Sequence, residues 1–213
     1  SGIASAVTPY HVPYPLLMPG GAFGDSISGA IFAGGIAAAI AQRERTGESS
    51  VVDASLLGTA MWAMQPGIVG STLIGVDELP KLARNTVPNP LANNYRTCDG
   101  RYVALCMLQF QRYWPDFCRA AGRPDLIDDP NFAPDTLASN IDACITTLDE
   151  VFATRTLDQW KLALATQSGQ WDVVQKVGEL PRDGQAIANN YTQPVDYGDG
   201  RSITMVSTPV QFD

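Results

Sequence analysis

The stretch "GDSISGAIFAGGIAAAIAQRERTGESSVVDASLLGTAMW", residues 24–62, decides how the chain is read. One carboxylate, Asp25, stands between a glycine-marked turn and a long run of small apolar residues. The run from 26 to about 45 is helical in pattern, with arginines near its C-terminal end and Gly47 placed as a stop. Asp25 then falls at a helix start, where two readings of it stay open. Asp is a strong N-cap residue, and such a cap contributes about 1 kcal/mol. The same position favours an ionised carboxylate and offers free backbone N–H groups, the setting a carboxylate nucleophile needs.

Small residues recur at Gly29, Ala33 and Ala37 and at Ala30, Gly34 and Ala38, a face that another backbone can approach closely. The apolar run 27–41 is shorter than the roughly 20 residues a membrane span needs. It is expected to be a buried helix of a soluble protein. Residues 49–75 read as a few extended residues and then an apolar helical stretch interrupted by Pro66, to be buried here or against a partner chain.

Upstream, residues 1–8 read as the tail of a helix. "PYHVPYPLLMPGG" (9–21) holds four prolines and is expected to be an extended strap. Downstream, a linker at 76–90 separates a large domain (1–75) from a small α+β domain (91–185). "YRTCDGRYVALCML" (95–108) reads as a hairpin with Asp99 and Gly100 as a two-residue turn. Three amphipathic helices follow at 110–122, 137–155 and 156–168. The aromatic residues Tyr113, Trp114 and Phe117 have helical spacing and are expected in the small domain's core. Residues 191–212 read as two strands around the turn at 198–200, within a return segment at 186–213.

The chain has 213 residues, 45% of them hydrophobic, enough for a sizeable core. Lys and Arg total 14 against 22 Asp and Glu, a net charge of −8 with no basic cluster, so no nucleic-acid partner is expected. The four cysteines form no CxxC pair and His11 is the single histidine, so no metal is expected. With no signal peptide evident, the cysteines are expected reduced, in a cytoplasmic protein without a membrane partner. His11, set among prolines, reads as an exposed or packing residue. The start at Ser1 and the stop after "STPVQFD" read as the ends of a piece cut from something longer.

Residues 24–62 resemble the signature of the family III CoA-transferases, which include formyl-CoA transferase, carnitine CoA-transferases and α-methylacyl-CoA racemase. In that pattern a Gly-Asp pair precedes a small-residue helix, followed by an Arg-x-x-Thr-Gly turn (43–47), Val-Asp and a second helix. The resemblance continues through "NPLANNYRTCDGRYVALCMLQFQRYWPDFCRAAGRPDL" (89–126) and the "PVQF" near the end. It implies an α/β fold: the end of a nucleotide-fold, CoA-binding large domain, plus a smaller α+β domain, in a homodimer whose chains interlock like rings. It also implies that most of the CoA-binding half and the C-terminal closing element lie outside this chain.

By the same resemblance, Asp25 falls on the catalytic aspartate, which attacks an acyl-CoA and forms an aspartyl-CoA thioester before a carboxylic acid takes the CoA. No cofactor is held permanently; coenzyme A thioester is a substrate. Gly24, Asn93, Asn94 and Gln109 are the candidate substrate-binding residues. Gln109 stands where the racemases carry a glutamate, and a neutral amide cannot do a carboxylate's electrostatic work, which favours a transferase. The loop "NPLANNY" lacks the glycine run of formyl-CoA transferase, so that enzyme's mobile lid is not carried over. A racemase using the same Asp25 as acid and base, and a non-catalytic fragment that only packs, remain the alternatives.

Overall fold

A computed structural model of the chain describes residues 3–9, 11–16 and 22–211. Two compact units divide it, Ser1–Ala83 and Arg84–Asp213. Part of the expected strap, residues 10 and 17–21, and Phe212 of "PVQF" lie outside the described residues.

The described residues of the first unit form four helices and no strand: α1 (Ile3–Val7), α2 (Phe23–Thr46), α3 (Leu56–Ala63) and α4 (Gln65–Ile74). Gly47 ends α2 in the left-handed region at φ 77°, its N–H donating to the Arg43 carbonyl at 2.8 Å. The Ser55 hydroxyl caps α3 by accepting from the Gly58 N–H at 2.9 Å. Pro66 lies in the first turn of α4, where an N–H has no intrahelical acceptor anyway.

Three expectations for α2 are corrected. The helix starts at Phe23, with Ala22 as its N-cap in left-handed backbone (φ 58°) and no side-chain capping bond, so Asp25 is not the cap but the third helical residue. The helix was expected to be buried, yet within this chain only Ser28 is, and Ile31, Phe32, Ile36 and Ile40 are 40–50% exposed. The reason is geometric: α2 packs on α3, and an 8-residue helix covers one stripe of a 24-residue cylinder. The small-residue face is open too. Among the described residues a Cβ on Gly29 or Gly34 would meet nothing within 4 Å, which leaves that face open to another backbone as expected, while at Gly35 it would meet Val52 at 2.9 Å. At 24 residues, α2 is also longer than its apolar run and, by length and composition alone, long and apolar enough to cross a membrane.

The second unit holds a three-stranded antiparallel sheet of β1 (Asn94–Arg96), β2 (Tyr102–Leu105) and β3 (Trp171–Val173), in the order β1-β2-β3. Against it pack α5 (Phe110–Ala121), α6 (Ile141–Phe152) and α7 (Leu157–Leu164). Tyr95 pairs with Val103, and both point inward and are fully buried, as period-two alternation requires. Ring contacts continue the core: Tyr95 stacks on Phe152 with centroids 4.8 Å apart, and Phe152 meets Trp160 tilted by 31° at 4.4 Å. Trp114 and Phe117 are buried with them, and Tyr113 packs against the cluster half-buried.

The β1–β2 turn differs from the two-residue expectation. Thr97 and Arg101 close a three-residue loop, with the Gly100 N–H on the Thr97 carbonyl at 3.0 Å and Gly100 left-handed at φ 75°. A two-residue type I′ turn would force positive φ on Asp99 as well. Here its carboxylate instead accepts from the Thr97 hydroxyl at 2.5 Å and from the Leu157 N–H, the first of α7, at 3.1 Å. The short helix α8 (Gly184–Ala188) leads into an exposed hairpin of β4 (Thr192–Asp196) and β5 (Ser202–Val206), with Gly198 and Gly200 in its loop.

Candidate active site

A cavity of about 470 Å³ opens in the first unit among α1, the start of α2 and α3, and Gly24 and Asp25 are both in its wall. Asp25 is there because the helix starts three residues earlier than its capping role would need. From the third helical position its exposed side chain stands in the first turn, beside backbone N–H groups without intrahelical acceptors, since the intrahelical bonds begin with the Ser26 N–H on the Ala22 carbonyl at 2.8 Å. The partial positive charge of those groups favours an anion at this place.

Among the described residues the rest of the wall is almost wholly apolar: Ile3, Phe23, Ile27, Leu56, Leu57 and Ala60 contribute to it, with Thr59 the one hydroxyl. The α3 residues in it were not singled out from the sequence, where 56–63 reads only as an apolar helix. One turn beyond Asp25, the Ser28 side-chain oxygen is buried and has no hydrogen-bond partner among the described residues.

Asn93, Asn94 and Gln109 belong to the second unit. Both ends of the Asn93 amide are engaged there, its Nδ2 donating to the Arg84 carbonyl at 3.2 Å and its Oδ1 accepting from the Asn94 N–H at 2.8 Å. The Asn94 carbonyl in turn accepts from Arg84 at 2.7 and 3.0 Å. Gln109 precedes α5, where its Oε1 accepts from Arg112 at 3.2 Å beside a cavity of about 400 Å³. His11 is exposed. All four cysteines are free, with Cys98 and Cys106 exposed and Cys118 and Cys144 buried. Among the described residues no group of His, Cys, Asp and Glu side chains is placed to hold a metal ion.

The model of CoA-transferase family III matches residues 1–213, and the chain belongs to that family. It is 29% identical over 191 residues to the (R)-2-hydroxy-4-methylpentanoate CoA-transferase of Clostridioides difficile, a match covering 89% of this chain and 47% of that protein. It is 28% identical over 203 residues to the cinnamoyl-CoA:phenyllactate CoA-transferase of Clostridium sporogenes, covering 93% and 48%.

Among solved structures it superposes on Rv3272 of Mycobacterium tuberculosis with a TM-score of 0.78 at 23% identity, over all of this chain and 55% of that one. It also superposes on a CAIB/BAIF family protein from Brucella suis with a TM-score of 0.74 at 22% identity, over 99% and 53%. The chain therefore spans about half the length of the relatives it matches.

Proposed function

We propose that this chain is part of a CoA-transferase that moves CoA from an acyl-CoA to a carboxylic acid, with Asp25 as the nucleophile. The observation that carries the reading is the place of Asp25, in the first turn of α2 and in the wall of a cavity. One Asp25 oxygen attacks the thioester carbonyl, a C–O bond forms, the C–S bond breaks, and the thiolate leaves with the electron pair. The product is a mixed anhydride. The thiolate then attacks the Asp25 carbonyl carbon, giving an aspartyl-CoA thioester and releasing the first acid. The acceptor acid repeats the two steps in reverse and leaves as the new thioester, restoring the carboxylate. Backbone N–H groups in the first turn are suited to stabilising the oxyanions that form.

The same reading includes a nucleotide-fold CoA domain completed outside this chain, an interlocked homodimer, a cytoplasmic location, and Gly24, Asn93, Asn94 and Gln109 near the substrate. Such a completion would cover the open faces of α2. Both relatives are CoA-transferases by name, which supports CoA transfer over proton exchange next to the thioester. To test the reading, the full-length protein is incubated with acyl-CoA and Asp25 is examined by mass spectrometry for an adduct trapped by hydroxylamine or borohydride. The adduct is expected, with Asp25→Ala losing about three orders of magnitude or more in rate. Full activity in Asp25→Ala overturns it.

A further inference from the structure

Apart from Asp25, the described residues of the cavity wall contain no ionisable side chain. We propose that this cavity receives the acyl chain of the thioester, and that this chain is an aliphatic or arylaliphatic tail with no second charged group. The inference rests on the reading of Asp25 as the nucleophile and adds to it the chemical class of the acyl group.

When Asp25 takes the acyl group from CoA, the carbonyl carbon becomes bonded to an Asp25 oxygen, and the substituent on that carbon must lie within a few bonds of the cavity wall. The space, about 470 Å³, lies within the range of small-molecule sites, roughly 300–1,000 Å³. A hydrocarbon tail leaving water for Phe23, Ile27, Leu56 and Leu57 gains free energy with each methylene covered. A second carboxylate in the same place would lose its hydration and find, among the described residues of the wall, no Lys, Arg or His to replace it. Dicarboxylic acyl groups are therefore disfavoured by the wall itself. Leu56, Ala60 and Ala63 are spaced to share one face of α3, and the two alanines leave the room that larger side chains would fill.

The test uses the full-length enzyme with one acceptor acid and a series of donors: acetyl-, butyryl-, hexanoyl-, phenylpropionyl- and succinyl-CoA. The kcat/KM for hexanoyl-CoA is expected to exceed that for acetyl-CoA by about tenfold or more, with succinyl-CoA the poorest donor relative to its length. Ala60→Phe, which fills the cavity, is expected to lower the hexanoyl-to-acetyl ratio about tenfold. Leu57→Ala, which enlarges it, is expected to move the optimum to longer chains, and it serves where the larger substitution prevents folding. An unchanged chain-length profile in variants that still form the Asp25 adduct overturns the cavity assignment alone, as does succinyl-CoA used as well as hexanoyl-CoA. Loss of the requirement for Asp25 overturns the nucleophile reading instead, so the two failures are distinguishable.

Discussion

The guanidinium of Arg84 meets the carboxylate of Asp149 through two hydrogen bonds of 2.7 Å each, joining residues 65 apart in the sequence. The same guanidinium donates to the Asn94 carbonyl and sits over the Tyr95 ring at 5.0 Å from its centroid. Both charged side chains are 43% exposed, so the ion pair alone contributes under about 1 kcal/mol. The bonds to the β1 carbonyl and the ring contact add to it. Arg84→Ala is expected to destabilise the second unit by about 1–2 kcal/mol in urea titrations. Arg84→Lys is expected to recover less than half of that, because an ammonium cannot reproduce the planar fork.

Acid weakens the second unit through Asp99. The Thr97 hydroxyl first, and then the Leu157 N–H, hold its carboxyl below the ordinary value. A depressed folded-state pKa contributes stability that is present above the unfolded carboxyl pKa, about 3.9, and is lost as pH falls through the folded value. Glu179, held down chiefly by the Lys176 N–H, and Asp183, held down chiefly by Gln175, act in the same sense. Thermal melts followed by circular dichroism are expected to show a falling midpoint below about pH 4. Asp99→Asn is expected to be less stable at neutral pH and to show a shallower acid slope.

Ser28 carries a buried oxygen without a partner among the described residues. Such a group retains its desolvation penalty with no hydrogen bond to offset it, so Ser28→Ala is expected to raise stability by about 1 kcal/mol. A higher midpoint in thermal unfolding checks this. A lower one would mean that the hydroxyl has a partner in the full-length protein.

The thiols divide by burial. Desolvation pushes both Cys118 and Cys144 up to about 12, while Cys98 and Cys106 are exposed. Because the thiolate is the reactive form, iodoacetamide at pH 8 is expected to label Cys98 and Cys106 in the native protein and to reach the other two only after denaturation. Peptide mapping distinguishes the sites.

Much of this was legible in the chain itself. Helix periodicity marked α5, α6 and α7, and Gly47 marked the end of α2, because local backbone preference and amphipathic spacing decide such features. The Gly-Asp pair and the small-residue helix that follows led to the family. The start of α2 was not legible, since a left-handed Ala22 is a choice that no propensity favours. That choice moved Asp25 from the cap into the first turn. Nor was the loop at Asp99, whose geometry depends on α7, 58 residues away in the sequence.

The sequence by itself determined the order of the main elements, because that order rests on local pattern. Only the tertiary structure decided that Asp25 shares a cavity with Leu56, Leu57 and Ala60, and that the Asn93 amide is tied to Arg84 and Asn94. The cavity joins segments about 30 residues apart, and the Asn93 bonds depend on a loop path between Arg84 and β1. Both depend on how faces pack, and periodicity specifies a face without naming its partner.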